Sequence, residues 1–431
     1  MCFYKKCVKF CSIINKILKG GLYFTTTYGI ICTQVVKYNK GDMMRINWIE
    51  FENLDTELKI NKTYFNKELT LLVGRSGAGK TQILEAISIF CKTATGNLTN
   101  VDCHFKGTIS FSIDNNVFEW VVHVSEEDMD LNSTTAMKRT NEGVYFFLDP
   151  KATKFVIKSE KLLCNGKTFF KRDNQDLVMN EQKLPLISND FSLIYHYKKD
   201  DLLKNIYSCM NGLYNASPIP SIFPFSIQFS FLDKIKLGLN KCKTKNEYRD
   251  KFPPSLPEQY KLYLLKETSG NTGLYDILLT YYKKIFSDVD DFTFELDDEK
   301  QRLKTYVKTN NSNIPYSSIS AGMRKTISFL VDLLTMSNNY VVLIDEIENG
   351  LGVNCLDEVY DLLTSLRNDL QLIMTSHHPY IINNVNPESC KIVDRKLNVV
   401  STYSAKELNL TNSHHDFYDL VMNKLQYGDI S

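Results

Sequence analysis

The sequence feature that most restricts the fold is an eight-residue segment, GRSGAGKT, at positions 74–81. It fits the pattern G-x-x-x-x-G-K-[ST] at every fixed position, namely Gly74, Gly79, Lys80 and Thr81. The strand-like run LTLLVG leads into the segment, and a helical pattern follows it. Glycines in such a loop let successive backbone N–H groups form a concave nest for anions at a helix N-terminus. The sequence therefore predicts a P-loop that cradles phosphates.

The individual P-loop residues have distinct expected roles. Lys80 is expected to reach the β- and γ-phosphates of ATP, and the Thr81 hydroxyl to ligate Mg²⁺. A glycine-rich turn that fits the pattern by accident is the alternative, but the flanking strand and helix argue against it. The predicted cofactors are ATP and Mg²⁺, and the remaining predicted cofactor-binding residues of the loop are Arg75, Ser76, Gly77 and Ala78.

A second element, YVVLIDEIENG at 340–350, is an apolar strand that ends in two acids. Ligands of α/β sheets bind at the carboxyl ends of strands. Asp345 suits the coordination sphere of Mg²⁺, directly or through water, and Glu346 suits the polarising of an attacking water. Any buried strand can end in a charged turn, so this interpretation depends on the P-loop. We predict Asp345 as a metal ligand and Glu346 as a catalytic residue.

Two further segments bear on the type of ATPase. SSISAGMRK, at 317–325, opens an amphipathic helix, so the Ser320 hydroxyl and the backbone at Gly322 could bind a phosphate. A simple N-cap is the better explanation if the segment is taken alone. The apolar strand QLIMTS leads to His377, a candidate catalytic residue that can contact a γ-phosphate or the attacking water. A surface histidine is the alternative, and the neighbouring His378 leaves the choice open.

The order of these motifs resembles the ATP-binding cassette (ABC) class of ATPases, in the branch with SMC, RecF and OLD proteins. GRSGAGKT resembles Walker A, VVLIDE Walker B, SISAGMRK the signature, NGLG the D-loop and TSHHP the switch-histidine loop. The layout is most similar to the AAA-family ATPases of bacterial anti-phage systems such as Septu and PARIS. Ala321 stands where the transporter signature has Gly. The sequence does not identify the Q-loop glutamine, because Gln175 and Gln182 are candidates only by their order along the chain.

The resemblance implies a head-to-tail dimer, with each ATP between Walker A of one copy and the signature of the other. It also implies a separate effector, such as a nuclease, in anti-phage defence, because the stretch after His377 is short for a Toprim nuclease domain. One alternative is a RecF- or SMC-like repair ATPase that binds DNA directly. Another is an ATP-gated scaffold with very slow turnover, and a transporter subunit is the least consistent interpretation.

The expected fold is an α/β P-loop NTPase with an ABC-type head. It comprises a mixed parallel core sheet, an antiparallel β-subdomain and a helical insertion. The predicted regions are a leader at 1–42, expected to be foreign to the native protein or disordered, an N-terminal half of the head at 43–188, the insertion at 189–287 and a C-terminal half at 288–431. The residue pattern changes at Met43 and Met44, which suggests that the natural protein starts there. A short membrane-surface or targeting helix is the rival interpretation of the leader.

Composition and charge limit the kinds of molecule that this chain is expected to bind. A net charge of +1 argues against a protein dedicated to coating polyanions. The expected insertion carries a basic run that could grip nucleic-acid phosphates, although a solvated face is the simpler explanation: Lys234, Lys236, Lys241, Lys243, Lys245 and Arg249. Eleven dispersed cysteines suit a reducing cytosol, and no apolar run is long enough to suggest a membrane span. We therefore expect a cytoplasmic protein.

Overall fold

The structure is a computed structural model in which most of the chain is described. The described residues are 44–98, 101, 103–128, 136–140, 143–147, 153–173, 175–215, 229–297, 299, 302–310, 312–337, 340–349, 353–366, 369–410 and 417–427. The predicted leader and most of the D-loop-like NGLG segment lie outside these residues.

The chain begins with three strands and a helix, continues through a long series of strands and a mainly helical stretch, and ends in mixed strands and helices. The strands are β1 (Met44–Asn53), β2 (Lys59–Tyr64), β3 (Leu69–Val73), β4 (Phe105–Ile113), β5 (Asn116–Asp128), β6 (Ala136–Thr140), β7 (Gly143–Phe147), β8 (Thr153–Cys164), β9 (Lys167–Arg172), β10 (Leu177–Met179), β11 (Gln182–Leu184), β12 (Leu213–Asn215), β13 (Val289–Asp297), β14 (Arg302–Thr309), β15 (Asn313–Pro315), β16 (Val341–Ile344), β17 (Gln371–Thr375), β18 (Cys390–Lys396) and β19 (Val399–Ser404). The helices are α1 (Lys80–Ala94), α2 (Leu193–His196), α3 (Asp201–Asn211), α4 (Phe229–Leu239), α5 (Lys245–Lys251), α6 (Glu258–Thr268), α7 (Leu274–Ile285), α8 (Ala321–Thr335), α9 (Val353–Leu366), α10 (Pro379–Asn384) and α11 (Phe417–Tyr427).

One half of the largest sheet is parallel. β12, β16, β17, β3 and β18 lie side by side in that order and run in one direction. All residues of β16 and β17 are buried, as expected for strands covered on both faces. In the register, Ile344 lies opposite Met374 and Thr375 opposite Leu72. The carboxyl ends of β3, β16 and β17 therefore meet at one edge of the sheet.

The other half of the sheet is mainly antiparallel. Its order is β11, β10, β9, β8, β5, β4, β1 and β2, and β19 joins it to the parallel half. Its buried aromatic side chains pack against α1, with the ring of Phe90 lying 5.7 Å from Phe105 and 6.4 Å from Trp120. α1 continues beyond Phe90 to Ala94, and its last turn is buried as well. The predicted α/β class, with a parallel core and an antiparallel subdomain, is confirmed.

The region at 189–287 is largely helical, but one strand belongs to the core sheet. β12 follows α3 directly and pairs in parallel with β16, Leu213 lying opposite Val341. α4 to α7 share a hydrophobic core with α8 and with β3. The described part of this region is therefore packed into the head rather than attached to it by a linker. In the described residues, no helix combines the length and apolar character needed to cross a bilayer.

Candidate functional site

The P-loop backbone has the conformation that its glycines predict. Gly77 and Gly79 have φ angles of 78° and 103°, which residues with a side chain rarely adopt. A Cβ atom on Gly74 would collide with the carbonyl oxygen of Val393, and one on Gly79 would collide with Val400. Both contacts come from the β18–β19 hairpin, which packs directly against the loop. α1 begins immediately after Gly79, so its N-terminus points into the loop.

Lys80 is folded back into the loop. Only 5% of its surface is exposed, and its ammonium group donates to the carbonyl oxygens of Gly74 and Arg75, each at 2.9 Å. Burial lowers the pKa of Lys80 to about 8, and the carboxylates of Glu346 and Asp345 oppose that shift. A buried ammonium group at the mouth of an anion nest is suited to a phosphate, whose charge would replace the lost hydration.

Thr81 and Asp345 meet although 264 residues separate them in the chain. The Thr81 hydroxyl donates to the Asp345 carboxylate, with distances of 3.2 Å to Oδ1 and 3.0 Å to Oδ2. Both side chains are exposed to the site. The described residues contain no group of three His, Cys, Asp or Glu side chains that could hold a metal ion alone. A hard cation here would take one hydroxyl and one carboxylate from the protein, which suits Mg²⁺ completed by phosphates and water.

Glu346 and His377 face each other across the same edge. His377 Nε2 lies 3.9 Å from Glu346 Oε1, and both side chains are part-exposed. Of the two neighbouring histidines, His377 is therefore the one beside Glu346, and Nδ1 of His378 is buried with no hydrogen-bond partner among the described residues. Glu346 itself has a φ angle of 47°, in the left-handed region that residues other than glycine rarely occupy. Such strain is often found at functional positions.

Two polar residues at this edge were not predicted from the sequence. The Thr375 hydroxyl donates to Asp345 Oδ1 at 2.8 Å and accepts the backbone N–H of Glu346 at 2.7 Å. Glu348 Oε1 accepts the backbone N–H of His377 at 2.5 Å, whereas its Oε2 is buried without a partner. The only sequence signals are a hydroxyl at the end of an otherwise apolar strand and a further acid after the Walker B pair.

Ser320 and Gly322 lie apart from the P-loop. Ser320 caps α8, its hydroxyl accepting the backbone N–H of Met323 at 3.2 Å, and it is exposed. In the described residues neither Ser320 nor Gly322 has a hydrogen bond to the P-loop. Lys325 of this helix lies near the acidic residues and is 8% exposed. Burial lowers its pKa, and the nearby Glu348 opposes that shift.

A buried contact supports the segment just before Ser320. The hydroxyl of Tyr316 donates to the carboxylate of Glu258, the first residue of α6. Burial raises the pKa of Glu258 to about 8, and the charge of Asp332 adds to the shift. The helical region at 189–287 therefore contacts the signature-like segment through a carboxyl group that is largely protonated at neutral pH.

The Q-loop candidates are not at the site. Gln175 lies between β9 and β10, and Gln182 begins β11, at the end of the strand order farthest from β3. Both are exposed, and in the described part of the chain neither has a hydrogen bond to the P-loop or to Asp345. Their order in the sequence was therefore misleading, because the chain completes the antiparallel edge before it returns to the core sheet.

The basic run does not form one surface. Arg249 is 9% exposed, and its Nε donates to the carbonyl oxygen of Leu334 at 3.1 Å. Lys236 donates to the hydroxyl of Tyr263 at 2.9 Å and lies 3.4 Å from Glu267. The members of the run that are exposed are Lys234, Lys241, Lys243 and Lys245. Two of the six predicted cations thus have structural contacts, which weakens the prediction of a nucleic-acid surface.

Comparisons with known proteins agree with this geometry. Residues 245–383 match the family described as "AAA domain, putative AbiEii toxin, Type IV TA system". That range contains Ser320, Asp345, Glu346 and His377. A curated relative, the retron Vc95 probable ATPase of Vibrio cholerae serotype O1 biovar El Tor, is 21% identical over 379 residues, which are 78% of this chain and 71% of the relative.

Solved SMC head domains are distantly similar in fold. The Smc head domain of Pyrococcus furiosus, solved with the C-terminal domain of ScpA, has 12% identity and a TM-score of 0.44, over 85% of this chain and 98% of that one. The SMC head domain from Thermotoga maritima has 10% identity and a TM-score of 0.36, over 84% and 98%. The family match and the relative, taken with the P-loop geometry, identify the chain as a nucleotide-binding ATPase, and residues 245–383 are similar to the AAA domain of that family.

Proposed function

We propose that this ATPase works as a head-to-tail dimer whose closure around ATP controls a separate effector protein, such as a nuclease, in anti-phage defence. The observation that carries the proposal is the division of the site. Thr81 and Asp345 meet within one chain, whereas Ser320 is exposed and, in the described residues, has no hydrogen bond to the P-loop. A second copy could supply Ser320 and Gly322 to the open side of the bound nucleotide.

Within this proposal the chain's own residues divide the work. Lys80 and the backbone of 74–79 bind the phosphates, and Thr81 and Asp345 hold Mg²⁺, which supplies charge neutralisation at the phosphates. Glu346 accepts a proton from the attacking water and orients it, and His377 contacts the γ-phosphate end of the site. Because the nucleotide site is closed only in the dimer, binding energy drives association and hydrolysis releases it.

The nucleoside part of ATP has space beside α1. A cavity of about 320 Å³ lies along the helix face that contains Gln82, Ala86 and Ile89. Leu58, from the turn between β1 and β2, also lines the cavity. Gln82 follows Thr81 directly in the chain, so the cavity begins beside the end of the P-loop, and its lining combines apolar and polar side chains.

A mixing experiment tests the head-to-tail arrangement directly. Lys80→Ala disables the P-loop, and Ser320→Arg disables the signature, so each variant alone should be inactive in steady-state ATPase assays. In a mixed dimer one of the two sites combines an intact P-loop with an intact signature. Equal mixing should therefore restore about a quarter of wild-type turnover, since half of the dimers are mixed and each has one working site. No restored activity, with both variants folded, would contradict the shared site.

Control of an effector is the more distant part of the proposal. It is supported by the relative named as a retron ATPase and by the resemblance to anti-phage ATPases. The ATP-bound Glu346→Gln protein and nucleotide-free Lys80→Ala protein should differ in co-purification with the product of the neighbouring gene. Salt-dependent binding of double-stranded DNA by the isolated protein, without that partner, would instead favour the RecF- or SMC-like alternative.

A further inference from the structure

The carboxyl end of β17 is tied to the segment after β16 at several points. The Thr375 side chain contacts Asp345 and the backbone of Glu346. The Thr375 carbonyl oxygen accepts the N–H of Ile347 at 3.2 Å. Two residues further on, the His377 N–H donates to Glu348. The Walker B residues and the switch histidine are therefore held by one short stretch of chain.

Thr375 has the central position in this arrangement. It is fully buried, with no exposed surface. Its hydroxyl proton is used in the hydrogen bond to Asp345, and an oxygen lone pair accepts the N–H of Glu346. Both hydrogen bonds are short, and a bond to a carboxylate is stronger than one between neutral groups. The hydroxyl therefore restrains the carboxylate of one residue and the backbone of the next.

The backbone of Glu346 needs such a restraint. Its left-handed conformation is unfavourable for a residue with a Cβ atom. A second hydrogen bond, from the N–H of Asn349 to the Glu346 carbonyl oxygen at 2.8 Å, closes the turn that follows. The Glu346 N–H thus bonds to Thr375 and its carbonyl to Asn349, which fixes the direction in which the carboxylate leaves the strand.

We propose that Thr375 is a positioning residue that orients Asp345 toward the bound cation and holds Glu346 in its left-handed conformation. The inference rests on the roles of Asp345 and Glu346 in the proposed function. Thr375 touches neither the nucleotide nor the water in this assignment, and it acts through the two acids. Thr375 binds Oδ1 of Asp345, and Oδ2 faces Thr81, the other residue assigned to the cation.

The test uses the full chain and separates cation binding from nucleotide binding. Thr375→Val removes the hydroxyl at nearly constant volume, and Thr375→Ser retains it. A fluorescent ATP analogue is titrated in EDTA and again in Mg²⁺, and ATP turnover is measured in parallel. We expect Thr375→Val to bind as wild type does in EDTA, to lose about ten-fold or more of the affinity gained with Mg²⁺, and to lose kcat with little change in KM. Thr375→Ser should restore both properties.

The matched control is Thr93→Val, at a fully buried threonine in the last turn of α1. It removes a buried hydroxyl whose hydrogen bond, among the described residues, lies within its own helix, and should leave the Mg²⁺ effect and turnover unchanged.

A Thr375→Val protein with a wild-type Mg²⁺ effect and kcat would overturn the inference while leaving the ATPase assignment intact. Loss of binding in EDTA would overturn it too, since the residue would then support the fold. If Thr375→Val does not fold, Thr375→Ala is compared with Thr375→Ser on the same criteria. Failure of wild type to bind the analogue would instead contradict the proposed function.

Discussion

The two halves of the proposed ATP site are built differently. The half formed by the P-loop and the ends of β16 and β17 is internally connected, with Thr81, Asp345 and Thr375 joined by hydrogen bonds of 3.2 Å or less. The half at the start of α8 contains Ser320, which is exposed and, among the described residues, has its side-chain hydrogen bond within its own helix. The first half depends on strand register, and the second on a single helix cap.

The two halves differ in how firmly their residues are positioned. Register between buried parallel strands fixes positions to within a fraction of an ångström, because every side chain on both faces is packed. A helix cap at the surface fixes only the local backbone. In the proposed arrangement the connected half binds nucleotide within a single chain, and the exposed half contacts that nucleotide from a second copy. Each prediction below alters one side of this contrast.

The largest effect is expected from Glu346→Gln. The amide retains the size and polarity of the side chain but cannot accept a proton, so turnover should fall by about 10²- to 10⁴-fold. Nucleotide binding should persist, and the ATP-bound dimer should accumulate and be visible by light scattering. A monomer at saturating ATP would show that the exposed half does not receive nucleotide from a second copy.

Lys80→Ala should act on binding itself. Loss of the buried ammonium group removes a charge-assisted contact to phosphate, and we expect ATP affinity to fall by at least about 100-fold. Isothermal titration calorimetry measures the affinity, and Ser320→Arg provides the control because it should bind ATP as wild type does. Retained affinity in Lys80→Ala would mean that the connected half is not the primary binding half.

The pH dependence of ATP binding should report the same lysine. The pKa of Lys80 in the nucleotide-free protein is lowered to about 8, whereas phosphate binds the protonated form. Above pH 8 the lysine must regain a proton on binding, so affinity should fall by up to about ten-fold per pH unit. Affinities measured between pH 7 and pH 9.5 check this, and Lys80→Arg should give a flat profile at whatever affinity it retains.

A smaller effect is expected on the other side of the contrast, at Glu258. Its pKa is raised from 4.5 to about 8 in the folded chain. Its contribution to stability is therefore full below about pH 4.5 and is lost as the pH rises toward 8. Glu258→Gln stays neutral and still accepts the hydroxyl of Tyr316, so at pH 8.5 its Tm should exceed that of wild type by roughly 1–3 °C. Glu267→Gln, an exposed acid in the same helix, is the control and should not raise the Tm there.

The sequence predicted the connected half well because its signals are local. Each of its motifs can be recognised within a short stretch of sequence: the P-loop glycines, the apolar runs of β16 and β17, and the polar residues after them. The structure places Asp345, Glu346 and His377 at one edge of the sheet, as expected for parallel strands that share a ligand-binding edge, and their roles stay predictions.

Other features depend on tertiary packing and gave no local signal. β12 is three residues long, and only its pairing with β16 makes it a strand. The hydroxyl of Thr375 looks like one more β-branched strand residue until its partners are known. Arg249 stands among solvated lysines in the sequence, yet it packs against the end of α8. The neighbouring residues in the sequence therefore do not reveal these three features, since burial depends on segments that lie far apart in the sequence.

The left-handed backbone at Glu346 has a consequence for how this chain responds to selection. Glycine adopts that conformation without penalty, so Glu346→Gly should fold at least as stably as Glu346→Ala, although the shorter residue cannot activate water. A laboratory screen for heat resistance alone would tend to favour replacements at this position that abolish hydrolysis. Keeping a glutamate there trades some thermal robustness for activity, and directed evolution of this enzyme would need an activity requirement at every round.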